Sequence, residues 1–293
     1  MIFSGFAQQN HPVSWKLSSE KIAPLTYQVK IEASVEAPFH IYPQLASGGG
    51  MGMPTEFLFA ANANIDAVGD VAEKGLEDKG GRQEAYYAKG ATFTTQVKLK
   101  SEQNTSLVVT IKYMACTDSY CLAPSRKQFT LSVNNENTAA AELKAAGSST
   151  AEQPAFTYEN FSMEDADGTL ISSKDITTRS RYTFIDFWAS WCIPCRAQGR
   201  ELIPIYNAYK SKGFSVIGVS LDTNPTAWKK AIEADKYTWT NVSDLKGFDS
   251  AIAKRYGITA IPGNFLIDDK GNIVAKDLHG NELEAKLAGL FGK

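Results

Sequence analysis

The chain has 293 residues, and its 43% hydrophobic content is enough for two buried cores. Its 30 basic and 32 acidic side chains are interspersed and leave a formal net charge of −2, which argues against a nucleic-acid-binding surface and a polybasic membrane patch. No apolar run approaches the ~20 residues that span a bilayer. We therefore expect two soluble domains whose partners are proteins or small molecules, with no nucleic acid among them.

The first residues predict a targeting segment. Met1–Ala7 is apolar and ends in a small residue, as the close of a secretory signal peptide does. We interpret residues 1–11 as a signal-peptide remnant and N-terminal tail, with a frayed cytosolic terminus as the alternative. The first interpretation predicts a periplasmic or otherwise exported protein.

Residues 12–133 predict an all-β domain. Short alternating apolar runs are separated by Gly, Asn and Pro, a pattern typical of an antiparallel sandwich. The glycine-rich stretch 47–52 predicts a loop. The predicted strands are 27–31, 57–59, 93–99, 107–113 and 129–133.

Cys116 and Cys121 follow one of these strands and are close enough in sequence to close a small loop. A structural disulfide is common in exported β domains. A short loop restrains the unfolded chain least, so a staple here would stabilise little and a redox-active pair is favoured.

Residues 134–153 predict a linker, because Leu143 is their only bulky apolar residue. A flexible linker of this length reaches roughly 25 Å, so cysteine pairs on its two sides can meet. An alanine-rich helix in the same stretch would hold them apart instead.

The second domain, residues 154–293, is organised around the stretch 184–195. An apolar run interrupted by Asp186 ends at Cys192 and Cys195, which predicts a buried strand that leads into a redox turn. Two thiols on one helical turn can reach each other, and a thiol at a helix N-terminus ionises more easily. We therefore predict Cys192 as an accessible nucleophile and Cys195 as the resolving thiol.

The cysteine motif alone is also compatible with half a zinc site. Zinc would need two further ligands at suitable spacing, whereas the chain offers only Cys116, Cys121 and three scattered histidines. Haem attachment would need a histidine where Arg196 stands. We expect no metal and no cofactor other than the disulfides.

Asp186 interrupts an apolar strand, where an ionised carboxylate is costly unless it has a partner. Burial should raise its pKa, which suits a base that takes the proton from Cys195. A carboxyl group bonded to nearby backbone or to a lysine is the alternative.

Strands and helices alternate in this domain, which indicates an α/β fold. The predicted strands are 182–187, 214–221, 263–267 and 272–276. The predicted helices are 192–211, 225–235, 248–256 and 282–290.

Several motifs of this domain, in this order, resemble thioredoxin-like proteins of the exported TlpA/ResA type of thiol:disulfide oxidoreductase. The resemblance implies a thioredoxin-like fold, a buried acid at Asp186 and a cis peptide bond before Pro262 that exposes backbone to an extended substrate. Packing alone could explain the tryptophans near the cysteines. The matching motifs are 191–196, 213–220, 256–262 and 265–268, and the implied substrate groove contains Trp188, Trp191, Ile193, Pro194 and Ile261.

The chain departs from that family after the cysteines. The family commonly has glutamate three residues after the second cysteine and proline two further on, whereas this chain has Gln198 and Arg200. Loss of the acid removes a charge that would oppose thiolate formation, so the ionisation of the cysteines transfers less well than the fold.

Residues 12–133 resemble the N-terminal periplasmic domain of DsbD-type thiol:disulfide interchange proteins, on the motifs 11–15, 39–42 and 113–124. The resemblance implies an immunoglobulin-like sandwich in which Cys121 faces the partner and Cys116 is its internal mate. The interval between the cysteines is shorter than usual, and the expected capping loop near 77–81 lacks an aromatic residue. An uncapped disulfide would be more exposed.

Together these features predict an exported oxidoreductase that reduces protein disulfides. A membrane electron donor of the DsbD/CcdA kind would restore it, and the two cysteine pairs would exchange electrons. The direction is open, because ~30 mV changes the exchange constant about tenfold. One alternative is a thiol peroxidase, although Ala189 stands where such enzymes have Thr or Ser, and another is a non-redox β module that tethers the second domain to one client such as apocytochrome c.

Overall fold

The computed structural model describes residues 11–44, 52–75, 77–78, 85–134, 141–143 and 158–292, with backbone only at 77–78, 85 and 141–143. Four predicted features lie wholly or mostly outside these residues. They are the signal-peptide remnant at 1–11, the loop at 47–52, the capping loop at 77–81 and the linker at 134–153.

The chain divides into two compact units. The first comprises Met1–Gly48, Met53–Thr117 and Pro124–Ser148, and the second comprises Gly49–Gly52, Asp118–Ala123 and Ser149–Lys293. The short segment Asp118–Ala123 therefore belongs to the second unit, although the residues on both sides of it belong to the first. Within the described ranges, no helix combines the length and the apolar character needed to cross a bilayer.

The first 143 residues contain twelve strands in the described ranges, and β10 is the one that belongs to the second unit. Their bounds are β1 Val13–Ala23, β2 Thr26–Val35, β3 Glu56–Phe59, β4 Ile65–Val68, β5 Ala72–Lys74, β6 Glu77–Asp78, β7 Ala85–Tyr86, β8 Gly90–Leu99, β9 Ser106–Tyr113, β10 Cys121–Leu122, β11 Ser125–Ser132 and β12 Ala141–Leu143.

The first unit is largely strands. One antiparallel sheet has the order β1-β2-β8-β4 with β5 also paired to β8, another has the order β12-β11-β9-β3, and β6 and β7 form a separate pair. Aromatic side chains of the two larger sheets meet in the core, where the ring of Trp15 lies 6.2 Å from that of Phe57 and 5.1 Å from that of Tyr113. The immunoglobulin-like topology remains a prediction.

The predicted strands of this unit overlap β2, β3, β8, β9 and β11, whose alternating burial matches their alternating sequence. Strand β1 was not predicted. It lies at a sheet edge and buries only Val13, Leu17 and Ser19, so its apolar pattern is weak. Strand β12 lies within the predicted linker, and its residues pair with β11.

The second unit contains a mixed seven-stranded sheet and five α-helices in the described ranges. Its seven strands are β13 Ser162–Asp165, β14 Leu170–Ser172, β15 Tyr182–Trp188, β16 Phe214–Ser220, β17 Thr240–Ser243, β19 Gly263–Asp268 and β20 Ile273–Lys276, and β18 Ala260–Ile261 pairs separately with β10. The helices are α1 Ser173–Thr177, α2 Ile193–Tyr209, α3 Pro225–Asp235, α4 Ala251–Arg255 and α5 Gly280–Phe291, with 3₁₀ turns at Lys210–Lys212 and Gly247–Asp249.

The sheet order is β14-β13-β17-β16-β15-β19-β20, so β15 lies inside the sheet between parallel β16 and antiparallel β19. This position buries β15 at nearly every residue, which agrees with its continuous apolar sequence. The predicted α/β organisation is confirmed, although β13, β14, β17 and α1 were not predicted. Helix α2 ends earlier than predicted and gives way to a 3₁₀ turn, after which Gly213 adopts a left-handed conformation with φ of 98°.

Candidate active site

Cys192 and Cys195 are bonded to each other at the point where β15 leads into α2, with their Cα atoms 5.3 Å apart. Cys192 is the N-cap of the helix, and its Sγ accepts a hydrogen bond of 3.2 Å from the backbone N–H of Cys195. Ile193 and Pro194 lie in the first turn, where proline fits because no N–H donor is required. Free N–H groups and the positive end of the helix dipole therefore face the Cys192 sulfur, and both favour a thiolate.

The sequence predicted that the Cys192 sulfur is accessible, and this prediction is wrong for the disulfide form. Cys192 has 0% of its surface exposed and Cys195 has 1%. The Cys192 Sγ lies 3.9 Å from the carbonyl oxygen of Ile261. Ile261 is itself paired with an additional strand, so two extended segments lie side by side next to the sulfur.

The peptide bond between Ile261 and Pro262 is cis, as the family resemblance implied. Pro262 stands between β18 and β19, and the first residue of β19, Gly263, pairs with Phe187 near the end of β15. This register brings the proline loop to the same edge of the sheet as the cysteine turn. Ile261 is fully buried there.

Asp186 belongs to a row of paired residues across four strands of the sheet. Its register partners are Gly218 on β16 and Asn264 on β19, and Gly218 pairs in turn with Asn241 on β17. Both asparagine side chains hydrogen-bond to backbone groups. The Asn241 amide donates to the Trp239 carbonyl, and the Asn264 amide donates to the Leu278 carbonyl and accepts from the Leu278 N–H. The Oδ1 atoms of Asp186 and Asn241 are the buried oxygens of this row that have no hydrogen-bond partner among the described residues.

Asp186 is 4% exposed, and its Oδ1 has no hydrogen-bond partner among the described residues. Burial raises the pKa of Asp186 to about 7, which confirms the predicted direction. The alternative prediction, a carboxyl oxygen bonded to backbone or lysine, does not hold for this oxygen. Asp186 can therefore accept and release a proton near neutral pH.

The two tryptophans that the resemblance assigned to the groove occupy different environments. Trp188 is 1% exposed and packs edge-on against Tyr237, with 5.1 Å between ring centroids. Trp191 is half-buried, lies 6.4 Å from the Phe248 ring, and accepts a hydrogen bond from the Gly52 backbone. Trp188 is therefore a core residue, and only Trp191 stands at the rim.

Asp222 was not singled out from the sequence. Asn224 caps α3, whereas Asp222 accepts hydrogen bonds from the backbone and hydroxyl of Ser190 at 2.9 and 2.5 Å and from the Ser220 hydroxyl at 2.7 Å. Burial raises the pKa of Asp222, although these bonds and the charge of Arg196 act against the rise. Asp222 ties the turn before Cys192 to the end of β16.

Gln198 and Arg200, the departures noted from sequence, hold α2 in place. The Gln198 amide donates to the Leu278 carbonyl at 3.4 Å. Arg200 and Arg196 both pair with the buried carboxylate of Asp235 on α3, at 3.0 and 2.5 Å. The helix that carries the cysteines is therefore anchored on two sides.

Cys116 and Cys121 are both disulfide-bonded, and the chain has no free cysteine. In the first unit, Cys116 exchanges backbone hydrogen bonds of 2.8 and 3.0 Å with His40. Cys121 lies in β10, which pairs with β18 in the second unit. Both sulfur-bearing residues are 0% exposed, so the expectation of a more exposed second disulfide is wrong.

A helix-capping disulfide, a buried acid on the preceding strand and a cis-proline at the same sheet edge define a thioredoxin-like thiol-disulfide exchange domain. Comparison with known proteins agrees: residues 154–276 match the AhpC/TSA family. The chain is 30% identical to the thiol-disulfide oxidoreductase ResA of Bacillus thuringiensis (strain Al Hakam), over 46% of this chain and 74% of the relative. It is 33% identical to the sporulation thiol-disulfide oxidoreductase A of Bacillus subtilis (strain 168), over 39% and 67%.

A solved thiol-disulfide oxidoreductase from Bacteroides fragilis NCTC 9343 is 37% identical, over 46% of this chain and 99% of that chain, with a TM-score of 0.44. Both curated relatives are matched over two thirds or more of their own length, and the match lies in the second unit. Through it, the chain belongs to the ResA-type thiol-disulfide oxidoreductases and is an enzyme of that class.

Proposed function

We propose that the chain reduces disulfides of client proteins through Cys192, with Cys195 as the resolving thiol. The observation that carries the proposal is the position of the Cys192 sulfur, which caps α2 and lies beside the Ile261 backbone. Helix N–H groups stabilise the thiolate needed for attack, and an extended client can pair with backbone near Ile261.

In the proposed reaction the Cys192 thiolate attacks one sulfur of a client disulfide and displaces the other as a client thiolate. Asp186 accepts the proton of Cys195 directly or through a water molecule, and the Cys195 thiolate then attacks the Cys192 sulfur of the mixed disulfide. The second client thiolate leaves, and the Cys192–Cys195 disulfide forms. Two electrons have passed from the enzyme to the client.

The second part of the proposal is an internal relay between Cys192–Cys195 and Cys116–Cys121. The backbone of Cys121 is paired with Ile261, whose carbonyl oxygen lies 3.9 Å from the Cys192 Sγ. Cys121 therefore lies one strand pairing away from the backbone beside the Cys192 sulfur, and exchange needs a thiolate of one pair to attack a sulfur of the other. The proposal has three further parts that rest on the sequence alone. They are the resemblance of the first unit to DsbD, a membrane electron donor of the DsbD/CcdA type, and export to the periplasm.

Reduction of insulin disulfides tests the first part. The wild-type chain, supplied with dithiothreitol, should precipitate the insulin B chain, whereas Cys192→Ser should fall to the rate without enzyme while its circular dichroism stays unchanged. The matched variant Cys116→Ser/Cys121→Ser should retain turnover with this artificial donor. Activity in Cys192→Ser, or peroxide consumption without insulin reduction, would overturn the assignment.

Redox titration tests the relay. The chain is equilibrated in glutathione buffers of graded potential, alkylated, and mapped by mass spectrometry. Exchange-active pairs should both open, within about 60 mV of each other, since that span corresponds to about a hundredfold in the two-electron exchange constant. If Cys116–Cys121 stays closed after Cys192–Cys195 has opened fully, the second pair is a staple and the first unit is a non-redox module.

A further inference from the structure

The segment Asp118–Ala123 belongs to the second unit, and its residues Cys121–Leu122 form the short strand β10. Cys121 pairs with Ile261 and Leu122 pairs with Ala260 in antiparallel register. One residue further on, the backbone N–H of Ala123 donates to the Thr259 carbonyl at 2.9 Å. Three consecutive residues of the chain thus lie along the edge that leads into the cis-proline.

This edge is the one that the proposed function assigns to a client. Ile261 precedes Pro262, and its carbonyl oxygen is 3.9 Å from the Cys192 sulfur. The occupying segment carries a cysteine opposite Ile261, and Cys192 is fully buried. A second extended peptide cannot pair with the same backbone atoms while this segment is present.

We propose that Asp118–Ala123 is a resident strand that a client must displace, and that it shows the register in which the client binds. The inference rests on the proposed function and adds the sequence that the site selects. A client cysteine takes the place of Cys121, opposite Ile261. The residue two positions after it takes the place of Ala123 and donates its N–H to the Thr259 carbonyl.

The register predicts the positions at which a client can contain proline. Hydrogen-bonded pairs alternate along an antiparallel ladder, so the Ala123–Thr259 bond means that the N–H of Leu122 points away from Ala260. Proline has no N–H and is tolerated where none is needed. A client with proline two residues after its cysteine should therefore bind poorly, whereas proline directly after the cysteine should be accepted.

Peptides that differ at one position test this prediction with a single enzyme variant. Blocked peptides Asp-Ser-Tyr-Cys-Leu-Ala, Asp-Ser-Tyr-Cys-Leu-Pro and Asp-Ser-Tyr-Cys-Pro-Ala are prepared as mixed disulfides with thionitrobenzoate and mixed with the reduced full-length Cys116→Ser/Cys121→Ser chain. The Cys192 thiolate attacks the peptide sulfur, a Cys192–peptide disulfide forms, and thionitrobenzoate leaves as the better leaving group and is read by absorbance.

We expect the second-order rate constant for thionitrobenzoate release from Cys-Leu-Pro to be about tenfold below that from Cys-Leu-Ala, the worth of one backbone hydrogen bond, and that from Cys-Pro-Ala to stay within about threefold. Equal rates for all three peptides would overturn the register while leaving the enzyme assignment intact. No release from any peptide would instead contradict the proposed function.

Displacement is tested with Ala123→Pro in the same full-length background, since this change removes the N–H that the Thr259 carbonyl receives. The Cys-Leu-Ala peptide should then react several-fold faster, because its competitor binds less well. If the variant loses its native circular dichroism, amide exchange of the unmodified chain decides: a saturating carboxymethylated insulin B chain should deprotect the Ala123 amide. An unchanged rate in a folded variant, or an Ala123 amide that stays protected, would contradict displacement.

Discussion

The two cysteine pairs are held by different kinds of backbone. Cys192 caps α2, and its sulfur accepts a hydrogen bond from the N–H of Cys195. In the other pair, the backbone of Cys116 is hydrogen-bonded to that of His40, and Cys121 lies in the two-residue strand β10. Only the first pair has a helix N-terminus behind its leading sulfur. Under the proposed function, this difference makes Cys192 the attacking thiolate at neutral pH and the second pair its exchange partner.

Each unit also contains a titratable group whose pKa is strongly shifted by burial. Asp186 in the second unit has a carboxyl oxygen without a partner, and burial raises its pKa to about 7. His11 in the first unit is half-buried, and burial together with the charge of Lys127 lowers its pKa to about 4. These two groups make the units sensitive to opposite changes in pH.

Asp186→Asn should have the largest effect on stability. The folded pKa of Asp186 lies above its unfolded value of 3.8, so the folded state holds its proton more tightly and loses stability as pH rises from about 4 to about 7. The loss approaches about 4 kcal/mol at pH 8. Denaturant titrations should show Asp186→Asn more stable than wild type at pH 8 and close to wild type at pH 4.

The same variant should slow turnover if Asp186 is the base for Cys195. Insulin reduction by Asp186→Asn should lose its rise between pH 6 and 8, since no group near pKa 7 remains to accept the proton. A stability gain together with an unchanged pH–rate profile would restrict Asp186 to a structural role.

His11→Gln should show the opposite pH dependence. The folded pKa of His11 lies below its ordinary value of 6.5, so its contribution to stability is present above pH 6.5 and is lost as pH falls toward 4. Because the ring is partly solvated, we expect a loss of only about 1–2 kcal/mol in wild type. Between pH 7.5 and 4.5 the melting temperature should fall less steeply in His11→Gln than in wild type. The glutamine side chain keeps a group able to hydrogen-bond the Tyr113 hydroxyl.

Alkylation kinetics sharpen the contrast between the cysteine pairs. In the fully reduced chain, Cys192 should react with iodoacetamide about tenfold faster at pH 7 than Cys116 or Cys121, because the helix N-terminus favours its thiolate. Ala123→Pro serves as the control for access to Cys192. Equal alkylation rates at all three cysteines in that variant would contradict the claim that the helix N-terminus favours a thiolate at Cys192.

Asp222→Asn should have the smallest effect. The substitution places an amide N–H₂ against hydroxyl and backbone donors that now point at a carboxylate, which should cost about 1–2 kcal/mol of stability. Turnover should fall only a few-fold, since the turn before Cys192 loosens without losing a reacting group. Ser190→Ala removes one of the same bonds and should produce a smaller change in both measurements.

Local sequence was enough to predict the cysteine turn, the buried acid and most of the long strands. Asp186 is visible because a charge in an apolar run is rare, and Cys192 because its spacing to Cys195 fits one helical turn. Asp222 and Asn264 were missed because their partners, Ser190 and the Leu278 backbone, are 32 and 14 residues away in sequence.

Strand β10 could not be predicted for a related reason. Two residues carry no periodicity, and they form a strand only because β18 offers its backbone to them. The buried state of Cys192 has the same origin in long-range pairing. The sequence therefore singled out Cys192 as a candidate nucleophile, while its surroundings depend on contacts that no local pattern encodes.

Trapping a mixed disulfide decides whether Cys192 attacks client disulfides. Reduced Cys195→Ser in the Cys116→Ser/Cys121→Ser background is mixed with native, disulfide-bonded insulin, quenched in acid and mapped by mass spectrometry. We expect a stable adduct between Cys192 and an insulin cysteine that does not form with Cys192→Ser/Cys195→Ala in the same background. Failure of the first protein to form any adduct, while the same protein with Cys195 restored still reduces insulin, would contradict this role of Cys192.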